Sequence, residues 1–161
     1  MEKVHVKGLA ALQRALDEIP AKMEANVLRG ALRAGANIIR DHARENVPVA
    51  TGTLRDGLKV STRSRRGRVT ATLKTTGKHA FIAPWIEFGT RPHRIVARGK
   101  GLFFGGLFAR GVDHPGAVAK PFLRPALDAR ATAAVVAAGN HIKRRLATKH
   151  GINTPDLEIE A

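Results

Sequence analysis

The chain has 161 residues, enough to bury a core as one domain, and an apolar share of 43% excludes global disorder. It contains no cysteine, which excludes a disulfide framework and thiol-based metal chemistry, and no apolar run approaches the length of a membrane span. A formal charge of +15 points to polyanionic partners, whereas 4% aromatic residues and no Tyr speak against a base-stacking platform.

The N-terminus lacks a secretory apolar region, so a soluble product made in the cytoplasm is expected. Val4 to Lys7 alternates and reads as a short strand or an extended arm. Leu9, Leu12 and Leu16 fall on one face of a short amphipathic helix. Pro20 suits the first position of the next helix. From Ala21 to about Asn46, one apolar line runs through Met23, Val27, Ala31, Gly35 and Ile38, with Leu28, Leu32, Ile39 and Ala43 beside it. Arg29, Arg33, Arg40 and Arg44 take much of the other face. This predicts a helix of about 39 Å at about 1.5 Å per residue. Pro48 ends it.

Pro48 to Arg55 reads as a loop from its Pro, Thr and Gly content. Leu58, Val60 and Thr62, then Val69, Ala71 and Leu73, alternate with polar and basic residues about the turn at Arg65-Arg66-Gly67. That is a β-hairpin with one apolar and one basic face. Ala83 to Thr90 holds the only Trp and sets Glu87 between Ile86 and Phe88. It reads as a strand end, with Glu87 opposite its neighbours and Gly89 turning the chain. His93–Ala97 and Leu102–Phe104 flank the turn at residues 98–101 as a second hairpin, with Gly105-Gly106 leading to another strand at Leu107–Ala109. Phe103, Phe104 and Phe108 either fold back on the core or meet a partner. Asp113 to Pro121 reads as loop.

The last helix begins near Phe122, with Pro125 in its first turn and an apolar stripe through Leu127, Ala131, Ala134, Val135, Ala138, Ile142 and Leu146. Lys143, Arg144 and Arg145 complement its C-terminal dipole, and Gly151 stops it. The acidic tail from Ile152 to Ala161 is a frayed end or a strand for a neighbouring subunit's sheet. The expected fold is α+β: an antiparallel sheet with an extra β-hairpin, packed against the long N-terminal helix and the C-terminal helix. One domain covers residues 1–161, helical over 8–47, sheet and hairpins over 56–112, helix over 122–149 and tail over 150–161.

No catalytic or metal-binding constellation stands out, and no cofactor is expected. The seven His are scattered, and no H-E-x-x-H, G-x-S-x-G, P-loop or dinucleotide fingerprint is present. Glu87 is the one carboxylate in an apolar context, without a partner for acid–base work. It is expected to hydrogen-bond an Arg or loop amides and so fix the Gly89-Thr90 turn. A cryptic hydrolase would rest on this residue and stray His alone.

Three pieces resemble a known family: Pro48-x-x-Thr51-Gly52-x-Leu54-Arg55, Trp85-Ile86-Glu87-Phe88-Gly89-Thr90, and His114-Pro115-Gly116 followed by Pro121-Phe122-Leu123-Arg124-Pro125-Ala126-Leu127. Their order and spacing resemble the tail-completion, or neck, proteins of long-tailed bacteriophages and prophages. Arg91 to Ile95 with Gly101 to Phe104 resembles the subgroup with an extra hairpin. The likeness runs from about Gly8 to Leu146. It departs at Trp85, where the family often has Tyr or another apolar residue, and in the acidic tail, which has no counterpart.

The resemblance implies a structural virion protein, not an enzyme, in a homo-oligomeric ring of about six subunits at the head–tail junction. Its partners would be the head-completion (stopper) protein and the tail terminator or tube protein, with genome DNA passing through the lumen and no membrane involved. The expected subunit or partner interface comprises Trp85, Glu87, Phe88, Gly89, Thr90, Phe103, Phe104, Phe108, Pro121, Phe122 and Arg124. Basic residues expected to face DNA are Lys59, Arg63, Arg65, Arg66, Arg68, Lys143, Arg144 and Arg145. The alternative is a DNA-binding protein that acts through these charged faces of the hairpin and the last helix.

Overall fold

The helical period of the N-terminal third produces one long helix, α2 (Ala21–Asn46), and this is the spine of the molecule. The computed structural model describes residues 5–17, 21–97, 99, 101–104, 106–151 and 158–160. Expectations involving Pro20, Arg98, Lys100, Gly105 and residues 152–157 lie outside the described residues, as do the side chains of Leu16, Met23 and Phe104.

Before the spine come β1 (His5–Lys7) and α1 (Leu9–Asp17), whose Leu12 packs on the core. After it come the single turn α3 (Thr53–Asp56), the hairpin strands β2 (Leu58–Arg65) and β3 (Arg68–Thr75), and the short helix α4 (Ala83–Phe88). Four short strands follow: β4 (His93–Val96), β5 (Leu102–Phe104), β6 (Leu107–Ala109) and β7 (Gly111–His114). The chain closes with α5 (Leu123–His150) and β8 (Glu158–Glu160).

Helix α5 runs antiparallel along α2, and two apolar clusters hold the pair. Val27 and Ala31 meet Ile142 and Leu146 at one end. At the other, Ala43, Val47 and Leu58 meet Ala83, Phe122 and Ala126. Between the clusters the helices approach closely at Gly35, where an added Cβ would stand 2.5 Å from the Ala134 carbonyl oxygen. Gly35→Val is therefore expected to push the helices apart and cost about 2 kcal/mol in denaturant unfolding. An unchanged midpoint would show that the crossing tolerates the added bulk.

The β2–β3 hairpin lies on α2 with Leu58, Val60, Val69, Ala71 and Leu73 turned inwards, and Arg33 Nη2 donates to Thr62 Oγ1 at 3.0 Å. The fold is α+β, with antiparallel strands packed against the long N-terminal and C-terminal helices, but the strands form four two-stranded sheets instead of one.

Several local expectations are corrected, beginning with the Pro48 to Arg55 loop, whose end is the turn α3. The segment from Ala83 to Phe88 is a helix, not a strand end, and Pro84 occupies its first turn. Residues 93–96 pair with 111–114, while 102–104 pair with 107–109 in a nested ribbon, so the partner of β4 lies partly in the expected loop. Of the acidic tail, residues 158–160 pair as β8 with the chain's own β1, in place of a frayed end or a neighbour's sheet, with Lys7 opposite Glu158 in register. The α5 stripe is also offset: Ala126 lies on the buried line through Ala134, Ile142 and Leu146, and Leu127 and Val135 stand outside it.

Candidate functional site

Helix α4 is six residues long, too short to stand alone; Ala83 and Ile86 pack it on the core, and Glu87 ties it to α5. Glu87 is 7% exposed and directs its carboxylate at the first turn of α5. The Phe122 and Leu123 amides donate to Oε2 at 2.8 and 2.9 Å, and the Arg124 amide donates to Oε1 at 3.0 Å. These are amides that an α-helix leaves without intrahelical acceptors. Phe122, the residue before the helix, makes no side-chain cap of its own, so the cap comes from a residue 35 positions earlier. Burial alone would raise the Glu87 pKa; the Leu123, Phe122 and Arg124 amides and the Arg124 charge outweigh it and hold the carboxyl below its ordinary value. Glu87 does bind amides, but it fixes the start of α5 and not the Gly89-Thr90 turn.

That turn is set by the backbone. Thr90 and Ala117 exchange N–H···O bonds at 2.9 and 3.1 Å, and the Lys120 amide donates to the Ile86 carbonyl at 2.7 Å. Gly89 has φ of +71°, and a Cβ there would lie 2.6 Å from the Ala117 oxygen, so the crossing requires glycine. From this root the β4–β7 and β5–β6 ribbon projects. Its base carries an exposed Arg94–Asp113 pair at 3.1 Å and paired His93 and His114 rings with centroids 5.1 Å apart.

The three pieces of the sequence resemblance meet here. Leu54 from the first and Ile86 from the second pack on the cluster that contains Phe122 from the third, and Glu87 ties the second to the third. Around this junction the surface is apolar. Phe88 is 79% exposed, and Trp85 stands edge-on to Phe81 with centroids 5.4 Å apart, both rings half exposed. Beside Phe88, a groove of about 720 Å³ runs between β3, α4 and α5, lined by Leu73, Ala83, Pro84, Leu123 and Leu127 among others. At the ribbon tip, Phe103 and Phe108 pair at 4.9 Å and are 66% and 77% exposed.

The expected interface residues therefore divide. Trp85, Phe88, Phe103, Phe108, Pro121 and Arg124 are on the surface, and Gly89 and Thr90 are half-buried at the root. Phe122 is fully buried and Glu87 nearly so; both support the surface from within.

A second feature is electrostatic. From Gly57 to Ile86 the chain carries seven Lys or Arg and no carboxylate. The hairpin register sets Lys59 directly opposite Lys74 and Arg65 opposite Arg68 on its outer face. Such like-charge pairs weaken a hairpin by up to about 1 kcal/mol each. Arg63, Arg65, Arg66 and Arg68 line an open concavity of about 580 Å³ with Thr70 and Thr72. Among the described residues, none of these cations pairs with a carboxylate.

Arg145 joins a separate basic hollow with Arg29, Arg33 and Thr62, where α2, α5 and β2 converge. The sequence shows Arg29 and Arg33 only as a solvated helix face. Nearby, burial first, then Arg144 and Arg145, hold His141 below its ordinary pKa. Arg144 is exposed and Lys143 half-buried on the same turn. Among the described residues, no cluster of His, Cys, Asp or Glu is arranged to hold a metal ion, and no helix is long and apolar enough to cross a membrane.

Helices α1 to α3, the β2–β3 hairpin and α4 carry the family signal. Residues 9–89, about half of the chain, match the family described as "Bacteriophage HK97-gp10, putative tail-component". The chain belongs to this family. The match to the tail-component family ends at Gly89, the root of the ribbon, so the ribbon and α5 lie beyond it. No curated protein and no solved structure gave a match.

Proposed function

We propose that this tail-component protein is a structural subunit of the phage neck, present in the virion as a ring of about six copies that joins the completed head to the tail. Genome DNA passes through the ring, and the neighbours along the axis are the head-completion (stopper) protein and the tail terminator or tube protein. Family membership over residues 9–89 carries this reading. Two features of the molecule support it. Exposed Trp85, Phe88, Phe103 and Phe108 lie at and beyond a rigid junction, as an assembly protein requires. Both oxygens of the buried Glu87 carboxylate are committed to helix amides, a structural task, and no catalytic role is assigned to it.

Deleting the coding sequence from the phage that carries it is expected to leave filled heads and free tails that do not join, as seen by electron microscopy of lysates. Tailed particles formed in normal numbers without the protein would overturn the proposal.

The carboxylate-free hairpin favours a second reading, in which the isolated subunit itself binds duplex DNA. A ring wall that only tolerates DNA and a subunit that grips it differ in affinity and salt dependence.

A further inference from the structure

A surface that carries both a projecting apolar tip and an apolar groove is self-complementary head to tail. The tip is the Phe103–Phe108 pair at the end of the β5–β6 ribbon, exposed on both rings. The groove lies between β3, α4 and α5, with Phe88 and Leu127 uncovered at its mouth. A chain cannot readily bring its own tip there. The ribbon leaves at the Thr90–Ala117 bridge, directly after α4, and so starts beside the groove. The shorter arm, nine residues from Phe108 to Ala117 at about 3.3 Å each, then lets the tip stand up to roughly 30 Å from that root.

Charge narrows the occupant further. The ribbon is basic, with five Lys or Arg against the single carboxylate of Asp113 over residues 91–117 and Arg110 exposed, on a chain whose net charge is +15. Most of that surface repels a second copy. The groove is balanced instead: Lys74 and Arg124 on its lining are matched by Asp128 and Glu87. A basic ribbon meets less repulsion there than on the hairpin or the end of α5.

We infer that the Phe103–Phe108 tip of one subunit seats in the β3–α4–α5 groove of the next copy, making the head-to-tail contact that closes the ring. This rests on the ring reading above and specifies its interface. The docked tip would cover Phe88 and Leu127, and Glu87 would set the groove's shape by fixing α4 against α5.

The absence of cysteine permits a direct test. Two single variants, Arg110→Cys near the tip and Asp128→Cys on the groove rim, are mixed and treated with a short bis-maleimide. Light scattering on the same samples across concentration reports the oligomer. A crosslinked dimer several-fold more abundant in the mixture than in either variant alone is expected. Adding Phe103→Ser and Phe108→Ser to the Arg110→Cys chain is expected to abolish that excess and raise the association midpoint by about 100-fold. Both Phe are exposed, so the Ser variants should fold, and unchanged circular dichroism would check this. An oligomer with no mixed crosslink, or with one insensitive to the Ser changes, overturns the docking while leaving the ring intact. Monomer at every concentration overturns self-association itself, and the docking with it.

Discussion

Glu87→Ala is expected to destabilise the protein by about 3 kcal/mol, far more than a typical surface change. The carboxylate accepts three amides at the start of α5 from a site 7% exposed, and alanine leaves all three without an acceptor. The damage should spread along one path. The first turn of α5 frays, Phe122 loses its fully buried seat, and α4 is no longer tied to the helix it packs against. For a domain of this size, thermal unfolding should fall by roughly 6–12 °C.

Glu87→Gln keeps one acceptor but turns an NH2 group towards amide donors, with an expected loss of about 2 kcal/mol near neutral pH. Because the folded pKa is lowered, the carboxylate's contribution is fully present above the unfolded value of about 4.5 and is lost as pH falls through the folded value. The gap between wild type and Glu87→Gln should therefore narrow on acidification below about pH 4.5. Stability of Glu87→Ala within about 0.5 kcal/mol of wild type would show that α5 caps itself.

Glu87 also marks where the sequence stops being legible. The bounds of α2 are readable because its apolar period is long and Pro48 closes it, and β2–β3 because strict alternation runs through both strands about one turn. Residues 83–88 are too few for a period to show, and Trp-Ile-Glu-Phe fits a strand as well as a helix. The local signal is Pro84, suited to a first helical turn; the deciding interaction lies 35 residues away. The ribbon is illegible for a related reason. Its strands are three or four residues long, and nothing local selects 111–114 over 102–104 as the partner of β4. Periodicity places Leu127 on the buried stripe of α5, but the close Gly35–Ala134 crossing turns that helix so that Ala126 is buried and Leu127 faces the groove. Arg29 and Arg33 carry no sign of their meeting with Arg145, since only the pairing of α2 with α5 brings them together.

Alanine at Arg63, Arg65, Arg66 and Arg68 together is expected to weaken duplex DNA binding by roughly 100- to 1000-fold at about 0.1 M salt. The reason lies in what the hairpin tolerates. Opposed Lys59–Lys74 and Arg65–Arg68 pairs oppose its folding, and among the described residues no carboxylate relieves them. A polyanion laid across the outer face would relieve all of them at once by exchanging condensed counterions for guanidinium groups. Each phosphate that is no longer neutralised should make the plot of log K against log salt shallower by about 0.9, so four should reduce the slope by about 3–4. Folding should survive, because the four side chains point to solvent and removing like charges helps the hairpin. Arg145→Ala, in the separate hollow with Arg29 and Arg33, serves as a comparison. If it shifts the slope by about 1 as well, the DNA path includes both faces. An unchanged slope in the hairpin variant would remove DNA from this face. Tight binding that depends on the four arginines in the isolated subunit would mean that the protein grips duplex DNA without assembling first.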